Sequence, residues 1–256
     1  MPALSLSVNA IPGIPLIVPG ADLPGIINEA IESSTLQLED GDILVIAQKI
    51  VSKAENRIVA LDDVKASDKA IEIAEQADKD PRLVELILQE SNEVLRCKPG
   101  VIIVEHKSGV VMANAGIDHS NVATQEDKEL VTLLPIDSNA TAAKLRRELE
   151  ALSGKKLGVI INDSVGRAWR VGTVGIALGC SGLLPLRDLR GARDLFGLEL
   201  RVSETADADA LASAAGLVMG EADDASPVAL VRGHELDQDS ADTRALIRAN
   251  EEDLFR

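Results

Sequence analysis

Short apolar runs separated by polar turns recur along the chain and predict buried strands. The clearest run covers residues 157–161, in which Gly158 is the weakest member, and a similar run covers residues 43–47. Nearly unbroken runs of this kind are typical of strands that are buried on both faces. Further strands are predicted at residues 101–104, 110–113, 198–202 and 228–231.

Segments with a helical spacing of apolar residues alternate with these strands. Ser67 is a predicted N-cap, and Asp80 followed by Pro81 is a typical helix start. The alternation predicts a mixed α/β fold. The predicted helices are residues 23–32, 68–77, 140–152 and 208–219, with a further one beginning at Pro81.

Four glycines recur at spacings of three, four and three residues: Gly172, Gly175, Gly179 and Gly182. On a helix they would form one flat face, at a cost of about 1 kcal/mol each relative to alanine. We interpret this face as a surface for close packing, in preference to a phosphate-binding loop.

Composition excludes several classes of partner. Hydrophobic residues make up 46% of the chain, so a large core is expected, and its net charge is −16. A surplus of negative charge argues against nucleic acid, because phosphate backbones require clustered Lys and Arg. It argues equally against an anionic membrane surface.

Targeting signals and disulfides are not expected. Cys97 and Cys180 are too few for a disulfide framework, and prolines interrupt the first twenty residues. No apolar run approaches the length of a transmembrane helix. The sequence therefore predicts a cytoplasmic protein.

Polar residues follow the apolar run at 157–161 directly. Asp163 and Ser164 come where that strand is predicted to end, and Arg167 and Arg170 follow within a few residues. A carboxylate beside a hydroxyl can hold a hard cation, and arginines can grip anionic oxygens. This segment alone indicates metal-assisted chemistry on a phosphorylated substrate.

A second polar loop follows the strand at 110–113. Gly116 permits a tight turn, and Asp118 and Asn121 then offer oxygen ligands or hydrogen-bond donors. The same residues also suit an Asx turn without any ligand. Both readings stay open on this loop alone.

A third loop, residues 219–227, crowds acidic residues at the end of a predicted helix. Glu221, Asp223 and Asp224 would lie near the negative end of the helix dipole, where a divalent cation relieves their repulsion. A solvated acidic loop is the alternative, since screening weakens such repulsion. Together with the aspartates of the two preceding segments, the loop indicates a shared metal site.

Two lysines follow the strand at residues 43–47. Lys49 and Lys53 lie four residues apart, so a helix would place them on one face, where they could meet a triphosphate. A solvated pair of lysines is the commoner case. A Walker A pattern does not occur, so a nucleotide would need a different phosphate cradle.

The chain as a whole resembles the coenzyme F420-0:L-glutamate ligase family, the gamma-glutamyl ligases of deazaflavin biosynthesis. The resemblance covers nearly the full length, as a single module over residues 1–256 without the nitroreductase-like domain of actinobacterial relatives. The segments that carry it are PGIPLI at 12–17, VSKAE at 51–55, KDPRLVELILQES at 79–91, NAGIDHSN at 114–121, LPIDSNATAAKLR at 134–146, INDSVGRAWRVGTVGIALGCSG at 161–182, DLRGARDLFG at 188–197, VMGEADDASP at 218–227 and EEDLFR at 251–256.

This resemblance implies a GTP-dependent ligase with two divalent cations, Mn²⁺ or Mg²⁺, K⁺ as a candidate monovalent ion, and a family-specific fold of intimately packed subdomains with a non-P-loop nucleotide site. The implied metal ligands are Asp118, Asp163, Ser164 and Glu221. The implied nucleotide-binding residues are Gly13, Ile14, Pro15, Leu16, Ile17, Gln48, Lys49, Lys53, Asn121, Met219, Gly220, Ala222, Asp223, Asp224, Ala225 and Ser226.

The resemblance also implies the reaction. A terminal carboxylate of the deazaflavin F420-0 takes the γ-phosphate of GTP, and the amine of L-glutamate displaces phosphate to form an amide. Lys53 and Arg167 are the expected phosphate clamps, and the protein is expected to be a homodimer. Two other functions need the same residues: a metal-dependent nucleotide phosphohydrolase, and a non-catalytic nucleotide- or deazaflavin-binding protein.

Overall fold

A computed structural model describes residues 5–119, 129–237 and 241–254. The mixed α/β fold class is confirmed, although the strands at Ser7–Ala10, Ser91–Lys98 and Arg170–Ser181 were not predicted. The strands are β1 (Ser7–Ala10), β2 (Ile43–Ala47), β3 (Ile58–Ala60), β4 (Ser91–Lys98), β5 (Val101–His106), β6 (Val111–Ala113), β7 (Leu130–Thr132), β8 (Gly158–Arg167), β9 (Arg170–Ser181), β10 (Arg187–Asp188), β11 (Glu204–Thr205) and β12 (Val228–Arg232). The α-helices are α1 (Leu23–Glu32), α2 (Gln48–Ala54), α3 (Asp68–Ala77), α4 (Pro81–Gln89), α5 (Ser138–Ser153) and α6 (Asp207–Met219).

The central sheet has five strands in the order β1-β12-β2-β8-β9. Its two central neighbours, β2 and β8, run parallel, and the other pairs are antiparallel. Because side chains alternate along a strand, Ile46 and Ile161 pack on the face covered by α1 and α5, and Val45 and Ile160 pack on the face covered by α6. The apolar runs at 43–47 and 157–161 are therefore buried on both faces, as predicted.

A second group of elements packs around its own core. Helices α3 and α4, the sheet β4-β5-β6 and the strand pair β3-β7 enclose Leu61, Val84, Ile102 and Val131. Strand β7 brings Thr132 against Asp118, which places the Asp118 turn beside the central sheet. That the chain forms one module stays a prediction.

Side-chain caps begin the predicted helices at the predicted places. Ser67 accepts the backbone N–H of Ala70 at the start of α3, and Asp80 accepts that of Arg82 before Pro81 at the start of α4. None of the helices within the described ranges combines the length and the apolarity that a bilayer crossing requires.

The prediction that the spaced glycines lie on a helix is wrong, because they belong to β9 and the turn after it. A close-packing role is nevertheless confirmed for three of them, but not for Gly172, which has open space around it. A Cβ at Gly175 would lie 2.5 Å from the carbonyl oxygen of Ala212 in α6. At Gly179, a Cβ would lie 2.2 Å from the backbone of Ser138 in α5. A bulge in β9 between these two glycines turns Gly175 toward α6 and Gly179 toward α5. The spacing of the glycines in the sequence does not reveal such a bulge, so it looked like one face of a helix.

The strand predicted at residues 198–202 is also wrong. The segment is the returning half of an irregular hairpin over residues 187–205, with regular pairing confined to β10 and β11. Gly191 N–H donates to Leu200 O, and Leu200 N–H donates to Ala192 O. Leu198 and Val202 are 68% and 86% exposed, because no layer of the described protein packs against them.

Candidate functional site

A cleft of about 470 Å³ opens where the parallel strands β2 and β8 end. Ligands of open α/β sheets bind at such carboxyl ends. Most of the predicted site residues meet here. They are Ile14, Pro15, Leu16, Ile17, Gln48, Lys49, Lys53, Asp118, Asp163, Ser164, Met219, Gly220, Glu221, Ala222, Asp223, Ala225 and Ser226.

Three of the predicted residues that the structure describes do not line this cleft. Gly13 lines a neighbouring groove, and the Asp224 carboxylate accepts a backbone N–H inside its own loop. Arg167 lies on the exposed β8–β9 hairpin, where its guanidinium donates to a carbonyl across the turn at 3.1 Å. Asn121 lies outside the described residues. The roles of all four stay predictions.

Asp163 reaches the cleft because β8 continues past the buried part of the sheet. Its neighbour Asn162 pairs with Ala47, so Asp163 emerges beside the start of α2. Burial raises the pKa of Asp163 to about 6, although the Ser164 backbone N–H and the Lys49 ammonium favour the charged form. A carboxylate so poorly solvated is stabilised strongly by a nearby cation.

One side of the cleft carries the two lysines of α2, and Asp118 pairs with the first of them. Lys49 Nζ lies 2.6 Å from Asp118 Oδ2. Backbone hydrogen bonds with Thr132 in both directions, of 3.1 and 2.8 Å, fix the Asp118 turn. Helix α2 carries Lys49 and Lys53 one turn apart, as predicted, and burial together with the charge of Lys49 lowers the pKa of Lys53.

The opposite side of the cleft is the loop after α6. Ser164 Oγ donates to Glu221 Oε1 at 2.5 Å, which joins the end of β8 to this loop. Gly220 ends α6 with a φ of 74°, and a Cβ there would lie 2.0 Å from a carboxylate oxygen of the same loop. A hydrogen bond of 2.8 Å from Ala47 N–H to Pro227 O fastens the loop to β2.

An apolar wall closes the cleft beside α2. Ile14 and Ile17 are buried in the core below the sheet, and the intervening Leu16 is 93% exposed. Because two anchored isoleucines flank it, Leu16 is presented to the solvent at the border of the cleft. Such a surface suits a flat ring better than a charged group.

The oxygen atoms of the cleft are chemically suited to divalent cations. Carboxylates and a hydroxyl are the hard ligands that Mg²⁺ and Mn²⁺ prefer. Consecutive residues point to opposite sides of a strand, so Asp163 interacts with the charge of Asp118 whereas Ser164 bonds Glu221. Within the described residues, no three His, Cys, Asp or Glu side chains lie close enough together to hold a metal ion by themselves. The donors therefore fit two cations only with further oxygens from substrate or water.

Two cleft-associated residues escaped the sequence analysis. Thr132 holds Asp118 across a contact between distant segments, and nothing local in the sequence signals such a pairing. Asn162 lines the cleft immediately before Asp163. The sequence therefore indicates that it lies near the site, but not that its side chain is buried. Thr132 Oγ1 and Asn162 Oδ1 are buried without a hydrogen-bond partner in the described chain.

Fold and site together define an α/β protein whose sheet ends in a cleft of carboxylates facing lysines. A family model described as F420-0:Gamma-glutamyl ligase matches residues 13–233. The chain belongs to this family, and the resemblance seen in the sequence is confirmed.

Relatives match the chain over most or all of its length. The coenzyme F420:L-glutamate ligase of Methanothermobacter thermautotrophicus is 44% identical over 255 residues, which cover 99% of this chain and 100% of the relative. The protein of the same name from Methanocaldococcus jannaschii is 47% identical over 219 residues, 86% of each chain. The one from Methanopyrus kandleri is 43% identical over 256 residues, 98% of each.

Proposed function

We propose that this protein is a GTP- and divalent-metal-dependent ligase of coenzyme F420 biosynthesis. It joins L-glutamate to the deazaflavin F420-0 by an amide bond and adds further glutamates by γ-linkages. The observation that carries the proposal is the meeting of Asp118 and Asp163 with Lys49 and Lys53 in one cleft. Membership of a ligase family supports the reaction class, and the relatives' names support the substrates.

GTP is proposed to bind with its base toward the apolar wall and its phosphates toward α2. Leu16 offers the base an exposed apolar surface, and Lys49 and Lys53 offer the phosphates positive charge. The loop at 219–226 closes the other side. Because GTP and L-glutamate are cytoplasmic metabolites, we place the protein in the cytoplasm. The remaining contacts proposed from the resemblance are Gly13 and Asn121. Gln48 is implied with them by the resemblance, but its side chain is nearly fully buried and bonded inside the protein.

Two divalent cations, Mn²⁺ or Mg²⁺, are proposed to complete the site, with K⁺ as a further monovalent ion. When bound, the divalent ions offset negative charge on the triphosphate and on the transferring phosphoryl group. Lys53 and Arg167 are the protein's own clamps on the phosphoryl oxygens. The proposed metal ligands are Asp118, Asp163, Ser164 and Glu221.

The proposed reaction has two steps, phosphoryl transfer to a carboxylate and then amide formation. A terminal carboxylate oxygen of the deazaflavin attacks the γ-phosphorus, the bond to the β–γ bridging oxygen breaks, and GDP leaves with that electron pair. The glutamate amine then attacks the carbonyl carbon of the acyl phosphate, gives up a proton, and inorganic phosphate leaves. The protein contributes positioning and electrostatic stabilisation rather than a nucleophile.

The protein is further proposed to act as a homodimer. Two hairpins, at the tip of β8–β9 and at residues 187–205, carry large apolar side chains into solvent. Val171 and Leu195 are fully exposed and Phe196 is 90% exposed. Exposed apolar surface of this extent is typical of an interaction site. A second copy of the chain is the proposed partner.

The reaction is tested by mass spectrometry. The protein is incubated with GTP, Mn²⁺ or Mg²⁺, L-glutamate and F420-0, and the expected product carries one or more added glutamyl groups. Release of phosphate from GTP that is indifferent to glutamate and F420-0 would establish a phosphohydrolase instead. Binding of GTP or F420-0 without turnover would establish a carrier.

The proposed site is tested by Asp163→Ala. Because Asp163 ends in the cleft and not in the core, the variant is expected to fold and to lose turnover. Circular dichroism checks the fold, and product formation is measured as for the wild type. Activity near that of the wild type would remove Asp163 from the site.

A further inference from the structure

Gln48 occupies a position that its neighbours determine closely. It follows Ala47, the last residue of β2, and Ala47 pairs with Asn162 in the parallel register. Gln48 and Asp163 each follow one member of this pair along the chain, so they lie side by side. The glutamine is only 2% exposed although it borders the cleft.

Both polar ends of the Gln48 side chain are engaged inside the protein. Ser52, one turn later in α2 and fully buried, donates its hydroxyl to Gln48 Oε1 at 2.9 Å. The side-chain amide in turn hydrogen-bonds the Asp163 carboxylate. Since the oxygen is occupied by a donor, the NH₂ group is the end that faces Asp163.

This chain of hydrogen bonds restrains the orientation of a carboxylate in a poorly solvated place. Each donor to a buried carboxylate favours its charged form and limits its rotation. Groups that hydrogen-bond a metal-ligating side chain change metal affinity or activity by about 10- to 100-fold when they are removed.

From this geometry we propose that Gln48 is a positioning residue for Asp163, with Ser52 fixing its amide, and that its side chain does not contact the nucleotide. The inference rests on the proposed function, in which Asp163 holds a divalent cation. The charged side chain that faces the cleft here is that of the next residue, Lys49, which pairs with Asp118.

The test measures Mn²⁺ and nucleotide separately. Mn²⁺ alone is titrated into the protein and followed by electron paramagnetic resonance, and a fluorescent GTP analogue is titrated in the presence of EDTA. Gln48→Leu, which keeps the volume and removes the amide, is expected to weaken Mn²⁺ binding about 10- to 100-fold and to lower kcat. Its metal-free affinity for the analogue is expected to stay within about twofold of the wild type.

Two variants of Ser52 separate positioning from packing. Ser52→Ala leaves Gln48 in place but frees its amide to turn, so Mn²⁺ binding is expected to weaken less than in Gln48→Leu. Ser52→Thr retains the hydroxyl and is expected to restore wild-type binding. Gln89→Leu, on the exposed side of α4, is the matched control and is expected to change neither titration.

The outcomes are distinguishable. If the wild type binds Mn²⁺ and Gln48→Leu binds it equally well, the positioning role is overturned and the proposed function stands. If Gln48→Leu loses the nucleotide analogue instead, Gln48 is a nucleotide contact. If the wild type binds no Mn²⁺, the metal dependence of the proposed function fails and this inference fails with it.

Discussion

The ammonium of Lys49 lies 2.6 Å from a carboxylate oxygen of Asp118. Asp118 is a proposed cation ligand, so the lysine and a divalent cation compete for the same oxygen. A triphosphate that arrives with its cations would release Lys49 from Asp118 and accept it on a phosphate oxygen. The ion pair thus links metal binding to nucleotide binding.

The first prediction concerns this competition. Lys49→Gln is expected to tighten Mn²⁺ binding in the absence of nucleotide by about two- to fivefold, the range that corresponds to a partly exposed ion pair. The same variant is expected to raise KM for GTP, because a phosphate contact is lost. Electron paramagnetic resonance measures the first change and steady-state kinetics the second. Weaker Mn²⁺ binding would contradict the proposed competition.

Two variants of Ser164 test whether its hydroxyl is needed for activity. Ser164→Ala removes the donor to Glu221 and a proposed metal ligand, so kcat is expected to fall about 10- to 100-fold. Ser164→Thr keeps the hydroxyl on a β-branched residue that suits a strand, so its kcat is expected to stay within about threefold. Equal losses in both variants would show that space, and not the hydroxyl, matters at this position.

A buried carboxylate is expected to make one surface arginine important for stability. Asp42 is fully buried and receives bonds of 2.7 and 2.8 Å from Arg232. Arg232→Met leaves that charge without its main partner, so the free energy of unfolding is expected to fall by about 1–3 kcal/mol. Urea denaturation measures the change.

The control for Arg232→Met is a similar pair on the surface. Arg244 also forks onto an aspartate, Asp242, but the arginine is largely solvent-exposed. Arg244→Met is expected to unfold at the same urea concentration as the wild type, because water replaces the lost contacts. Equal destabilisation by the two variants would contradict the role assigned to the burial of Asp42.

The two cysteines are expected to differ in reactivity. Burial, together with the charges of Asp242 and Asp209, raises the pKa of the Cys180 thiol to about 12. Since the thiolate is the reactive form, Cys180 stays almost entirely protonated near pH 8, and its alkylation in the folded protein is expected to be negligible. Cys97 is partly exposed. Iodoacetamide followed by peptide mass spectrometry is expected to label Cys97 first and Cys180 only after denaturation.

Local signals were enough to predict β2, β8 and β12 of the central sheet and the helices that cover it, but not β1 or β9. The run at Ile43–Ala47 and the caps at Ser67 and Asp80 each depend on neighbouring residues, and each was predicted at or near its observed bounds. The pair β3–β7 was missed because each of its strands has only three residues, too few to show an apolar pattern, and its pairing joins residues about seventy positions apart. Contacts between distant segments leave no local pattern.

In the candidate site, too, residues that follow a local pattern could be predicted and contacts between distant segments could not. Asp163 was recognisable because an apolar strand leads directly to it, and the alternation of the strand explains why Ser164 faces the other side. The bond from Gln48 was not recognisable, since it depends on the parallel register of β2 and β8. The spaced glycines misled because a bulge in β9 changes which side each one faces.

The last prediction concerns the projecting hairpins. Phe196 is 90% exposed at the end of the hairpin over residues 187–205, and it is proposed to be covered by a second copy of the chain. Phe196→Asp would place a charge in that interface, where desolvation is costly, so the dimer is expected to dissociate. Sedimentation equilibrium measures the mass. Leu217→Asp, at an equally exposed position on α6, is the matched control and is expected to remain dimeric. A Phe196→Asp variant as dimeric as the control would exclude this hairpin from the interface, and a monomeric wild type would exclude the homodimer itself.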